Sequence, residues 1–130
     1  MGFDIHGINP DNETGSYFRN NVWWWRPLAD FVLDFVDIPS DKKKFWHSND
    51  GQEVTEATAH KIADFIDEVM ANMGKYAAYV TITQEKREQA VRQQFPDLYK
   101  DDESIAYPFS FENLKEFGKF CRHSGGFEIW

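Results

Sequence analysis

Tyr17-Phe18-Arg19-Asn20-Asn21-Val22-Trp23-Trp24-Trp25-Arg26-Pro27-Leu28 is the stretch whose reading decides the fold. An indole carries a large apolar face and one N–H donor. Three in a row cannot share one core. Neighbours on a helix are about 100° apart, and neighbours on a strand point to opposite sides. At least one indole therefore faces a groove, a partner or a ligand. Two readings follow. In the first, Trp23, Trp24 and Trp25 wedge the core shut between a helix and a sheet, with the Arg26 stem lying over an indole. In the second, Arg19, Asn20, Asn21, Arg26 and one or two of the indoles line a ligand pocket. Arginine supplies a planar fork for phosphate or carboxylate. Asparagine can read both a donor and an acceptor on a base edge, and an indole can stack on the base. Asp50 joins these residues as a candidate ligand contact.

Moving outward, Pro27 lacks an N–H and suits the first turn of a helix. Leu28, Phe31, Val32, Phe35 and Val36 then recur at helical spacing, with Asp30, Asp34 and Asp37 on the other side. This predicts an amphipathic helix ending before Pro39. A start with Asn20 or Asn21 as N-cap is the alternative, and it would put Pro27 inside the helix. Upstream, Phe3 to Ile8 alternates as a short strand, Asn9-Pro10-Asp11-Asn12 is a turn, and Tyr17-Phe18 is a second brief extended piece.

Downstream, Asp41 to Lys44 reads as a charged surface loop anchored by Phe45 and Trp46, and Asn49-Asp50-Gly51 as a turn that tolerates positive φ. Thr55 can cap a helix whose apolar stripe is Ala59, Ile62, Ala63, Ile66, Val69, Met70 and Met73, with Gly74 as its stop. Tyr76 to Ile82 reads equally as strand or helix. Thr83 to Gln94 is an exposed helix ended by Phe95-Pro96, and Asp97 to Ser104 is a loop. Ser110 caps a last helix with Phe111, Leu114, Phe117 and Cys121 inward. Gly125 and Gly126 end it, and Phe127 to Trp130 forms a final strand. Strands at both ends with three to four helices between them predict a small α+β domain spanning residues 1–130, closed by pairing of the first and last strands.

A chain that is 42% hydrophobic and 17% aromatic is expected to pack as a globule. Its formal net charge of -8 argues against direct nucleic-acid binding, which needs a basic surface. That charge suits a neutral or basic partner, or a mimic of nucleic acid. Solubility is its plain explanation. Cys121 is the only cysteine, which rules out an internal disulfide or a cysteine-based zinc site and fits a reducing cytosol. MGFDIHGINP has neither the basic nor the apolar region of a secretory signal, and no run is long enough to span a bilayer. A cytoplasmic protein is expected, with no membrane partner.

No G-x-S-x-G, Walker A or H-E-x-x-H pattern occurs. Asp4 and His6 share a strand face that His47 or Asp50 can approach, but without recognised ligand spacing, so no metal and no cofactor are expected. His60 and His123 have structural explanations, and Cys121 falls on a buried helix face. No catalytic residue is assigned.

With MGFDIHGINP before it, Asn49-Asp50-Gly51 after it and SGGFEIW at the end, the YFRNNVWWWRPL segment resembles a family of small uncharacterised proteins of bacteriophage and prophage genomes. The likeness covers roughly the first sixty and the last twenty-five residues. Longer members carry two Cys-x-x-Cys pairs between the second and the C-terminal helices. This chain has Tyr76 to Ser104 there instead, and no zinc role is carried over. The resemblance implies a phage origin and a site of action in the host cytoplasm.

Three functions are then expected in turn. The first is a counter-defence protein that sequesters a small nucleotide-type ligand with the aromatic and Arg/Asn segment. The second is an acidic inhibitor that covers a basic host protein through Asp30, Asp34, Asp37, Asp64, Asp67 and Glu68. The third is a nucleotide or metal-dependent hydrolase. A homodimer that buries the spare tryptophan is a further expectation, because contiguous exposed aromatics mark interaction surfaces.

Overall fold

Asn21 marks where the chain turns from strand to helix. Its backbone is extended, and its side-chain oxygen accepts from the N–H groups of Trp23 and Trp24, both at 3.0 Å. A helix start leaves such donors unbonded, so one side chain here satisfies two of them. In the computed structural model, which describes residues 2–94 and 109–130, α1 accordingly runs from Val22 to Phe35. Pro27 lies inside it and is buried. Of the two starts open to the sequence, the earlier one is adopted.

Strand β1 (Gly2–Gly7) pairs antiparallel with β2 (Tyr17–Asn21) and, on its other side, with β4 (Phe127–Ile129). Strand β3 (Gln52–Val54) completes the sheet beyond β4, giving the order β2-β1-β4-β3. The expected pairing of first and last strands is present. β3 is an addition to the sequence reading. Its three residues are too few to show a period, and they pair with residues far away in sequence. Gly51, with φ of 81°, makes the turn that leads into it.

Helices α3 (Glu56–Ala71) and α5 (Phe111–His123) are capped by Thr55 and Ser110 as their sequences predict. Two expectations are corrected. Asp41 to Lys44 is not a loop, because α2 (Ser40–Lys43) makes a helical turn there and a 3-10 turn (Lys44–His47) follows. Pro39 starts that turn, its carbonyl accepting from the N–H groups of Lys42 and Lys43. Nor is Gly74 the stop of α3. The helix ends at Asn72, whose side chain donates to the Glu68 carbonyl at 3.0 Å, and Gly74 lies in the first turn of α4 (Met73–Gln94). The ambiguous Tyr76 to Ile82 stretch is helical. Ala77 and Ala78 favour that state, and Tyr76, Tyr79 and Val80 fall on one face that packs on the core. The expected Phe95-Pro96 stop and the Asp97 to Ser104 loop lie outside the described residues.

The α+β fold buries one aromatic stack at its centre. Trp25 stacks on Phe3 (5.6 Å) and Trp46 (5.9 Å) and meets Phe117 edge-on at 5.5 Å. Its indole N–H donates to the Trp46 carbonyl at 2.6 Å, so the ring's single polar atom is paired inside the core. A second aromatic group joins Phe31 and Phe35 of α1 to Phe65 of α3, Tyr76 and Tyr79 of α4, and Phe109. Among the described residues, no helix is long and apolar enough to cross a membrane.

Candidate functional site

Side chains alternate across a strand, so each strand sends half of its residues away from the helices. Phe3, Ile5, Val54, Phe127 and Ile129 point into the core and are buried. The intervening residues form the other face. Register places Tyr17 beside His6, His6 beside Glu128, and Glu128 beside Glu53, a row that crosses all four strands. One step along, Arg19 stands opposite Asp4, and the backbone N–H of Trp130 donates to the Asp4 carbonyl at 2.8 Å.

The two rows differ in how their charges are balanced. Asp4 accepts from Arg19 at 2.7 Å and from the Tyr17 hydroxyl. The Tyr17 hydroxyl, and then the Arg19 guanidinium, hold the Asp4 carboxyl below the ordinary aspartate value. Glu128 and Glu53 have no cation between them. They face each other directly across β3 and β4, and neither makes an ion pair among the described residues. Beside them Trp130 is 47% exposed, and its indole lies over Gly51. The Asn49 side chain donates to the carbonyls of Trp130 and Gly2 and fixes the ring's backbone.

The residues singled out in YFRNNVWWWRPL are spread over several environments. Trp25 is fully buried, Trp24 half-buried and Trp23 49% exposed. Arg26 lies over the Trp23 ring at 5.8 Å. Arg19 is on the outer sheet face with Asp4, whereas Asn20 points toward the helices. There Asn20 and Asn113 of α5 exchange two amide hydrogen bonds, at 3.0 and 2.8 Å. Asn21 is occupied as the cap of α1. Asp50 is exposed in the turn before β3. A shallow cleft of about 360 Å³ does bring two of these residues together. It is lined by Asn20, Trp24, Ser110, Glu112, Asn113 and Glu116.

The helix-face carboxylates are mostly engaged within the molecule. Arg122 bonds both Asp64 (2.8 Å) and Asp67 (2.7 Å), Tyr79 donates to Asp34 at 2.5 Å, and Tyr76 donates to Glu68 at 2.9 Å. Asp30 meets His47 at 2.7 Å, so that histidine is not beside Asp4 and His6. Among the described residues, no group of three His, Cys, Asp or Glu side chains is placed to hold a metal ion. Cys121 is sealed in the core, where burial pushes its thiol pKa well up and away from the nucleophilic thiolate.

Sequence reasoning missed Glu53, Glu128 and Trp130. A signal was present in Phe127-Glu128-Ile129-Trp130, whose strict alternation puts the acid and the indole on one face. Glu53 has no comparable signal, because β3 itself is invisible without its partner strand.

No protein-family model, curated protein or solved structure matches the chain.

Proposed function

We propose that this chain is an accessory protein of phage origin that acts by binding, and that its partner is a basic protein surface in the host cytoplasm. Carboxylates outnumber cations by 22 to 14, and among the described residues Arg19 and Arg122 are held in ion pairs with aspartates. The observation that carries the choice is the Arg19–Asp4 pair. Of the two guanidiniums placed to serve a phosphate, Arg19 is held by Asp4, whose carboxylate also accepts from the Tyr17 hydroxyl, and Arg26 lies over the Trp23 ring. Arg122 is held by two aspartates. A phosphate-bearing ligand would have to displace those carboxylates. A basic partner instead meets carboxylates that make no ion pair among the described residues, such as Glu53 and Glu128. Charge complementarity of this kind sets encounter rate and specificity and is screened by salt.

The test is competition. A purified basic nucleic-acid-binding domain is loaded with a fluorescent DNA duplex, and this protein is titrated in. Displacement of the DNA at low salt that weakens steeply as salt rises is expected. No displacement from any of several basic domains overturns the reading.

A small nucleotide-type ligand is the second reading, favoured by the cleft at Asn20, Trp24 and Asn113. Its volume falls in the ligand-pocket range of roughly 300–1,000 Å³. An indole wall and an amide pair suit a base, while Glu112 and Glu116 at its rim disfavour phosphate. Cyclic dinucleotides or ADP-ribose that bind there raise the melting temperature, because a ligand bound only by the folded form stabilises it. Asn20→Ala and Trp24→Ala should abolish that shift. A nucleotide panel that gives no shift removes this reading.

A further inference from the structure

We propose that the partner's lysine or arginine side chains dock on the outer face of the sheet where β4 meets β3, against Glu128, Glu53 and Trp130. This rests on the basic-partner reading above and names the face that reading uses. Register sets Glu53 directly opposite Glu128. Like charges so placed repel across a strand pair and weaken the isolated sheet. A cation that arrives from outside relieves that repulsion. Among the described residues neither acid is in an ion pair: Lys42 shares a cleft with Glu53 at the β3 edge without bridging to it, and Arg19, on the outer face, is bonded to Asp4.

The indole beside the two acids supplies the other half of a cation site. Trp130 projects from the same face as Glu128, two residues along the strand, and is 47% exposed. A lysine or arginine over an indole face gains cation–π attraction in addition to the ionic contact. The ring is held ready for it. Its backbone is fixed by the bond to Asp4 and by Asn49, and the ring rests on Gly51, where any Cβ would collide with it. An aromatic anchor that is rigid before binding loses little entropy on contact. Asp50, exposed in the same turn, adds negative charge at the rim. The helix faces offer less, because Asp34, Asp64, Asp67 and Glu68 already accept hydrogen bonds or ion pairs from Tyr79, Arg122 and Tyr76.

The experiment uses an oligoarginine peptide as probe, with a Gly/Ser peptide of equal length as control. Each is titrated into the isotopically labelled full chain, with amide and indole N–H shifts as the readout. Shifts centred on Glu53, Glu128, Trp130 and His6 are expected with the cationic peptide alone. The Glu53→Gln/Glu128→Gln double variant should weaken binding by about tenfold or more. It should melt no lower than the parent chain, which excludes unfolding as the cause. The Asp34→Asn/Asp37→Asn variant, on α1 and just beyond its end, should bind within about twofold of the parent. Shifts centred on α1 or α3, unchanged affinity of the double variant, or burial of this face in a dimer of the chain each overturn the docking face and leave the basic-partner reading standing. Failure of the cationic peptide to bind anywhere at low salt removes both.

Discussion

The indole of Trp130 occupies the space above Gly51. A Cβ on Gly51 would stand 2.5 Å from Cζ2 and 2.7 Å from Cη2 of that ring, and the glycine's φ is 81°. Side chains other than hydrogen are disfavoured there twice, by the left-handed backbone and by the ring. Gly51→Ala should cost about 1–3 kcal/mol of stability. Thermal melts should fall by several degrees, and the intrinsic fluorescence should report a displaced, more solvated indole. An unchanged melt would mean that the ring is not held against this turn.

Glu53 and Glu128 repel each other across β3 and β4. Removing one charge should therefore stabilise the fold. Glu53→Gln is expected to gain roughly 0.2–1 kcal/mol in urea unfolding at neutral pH. The gain should vanish near 1 M salt, where the screening length drops to about 3 Å. A gain that persists at high salt would point to a packing effect instead of charge.

Asp4 gives the fold a pH dependence of known direction. Its folded carboxyl titrates below the ordinary value of 3.8 because the Tyr17 hydroxyl and Arg19 favour the ionised form. Its contribution is therefore fully present above 3.8 and is lost as pH falls below that value through the folded pKa. Asp4→Asn should flatten the acid limb of stability against pH in that window and leave the slope above it unchanged. The pair is exposed, so the effect is expected to be small. An equally steep acid limb in the variant would assign the dependence to other carboxylates.

Asn21 caps α1 by accepting from two backbone N–H groups. Asn21→Ala should cost about 1 kcal/mol, while Asn21→Asp should be nearly neutral, because a carboxylate accepts the same bonds and suits the positive end of the helix dipole. Chemical denaturation separates the two. An alanine variant as stable as its parent would show that the helix start is held by packing of Trp25 alone.

Those elements whose signals are local were legible in the sequence. Helical spacing in α3 and α5, the caps at Thr55 and Ser110, the Asn49-Gly51 turn and the terminal strands needed no knowledge of the fold. The sequence left the start of α1 open because two signals compete there. Pro27 marks a first turn, yet the Asn21 cap wins, and burial of Trp25 and Pro27 along α1 goes with the longer helix. β3 and the turn at Ser40 to Lys43 were hidden, since three or four residues carry no period and their partners are remote or a single proline carbonyl. The tryptophan run was correctly recognised as unable to enter one core, and only Trp25 is fully sealed. The sheet's outer row was not recognised, because its members come from four separate segments of chain.

The place of β4 in the sheet governs the order in which the molecule can be made. The strand lies between β1 and β3, yet it is formed from residues 127–129. During synthesis, β1 and β2 can meet as a hairpin soon after they leave the ribosome, whereas β3 has nothing to pair with among the described strands until residues 127–129 have been added. Until then β1 at Ile5–Gly7 and β3 at Gln52–Val54 lack their partner strand, and a nascent chain stalled before Phe127 exposes unpaired edges. Chaperone engagement and sensitivity to premature termination are therefore expected to concentrate in that interval, and folding should be slow for a domain so rich in helix.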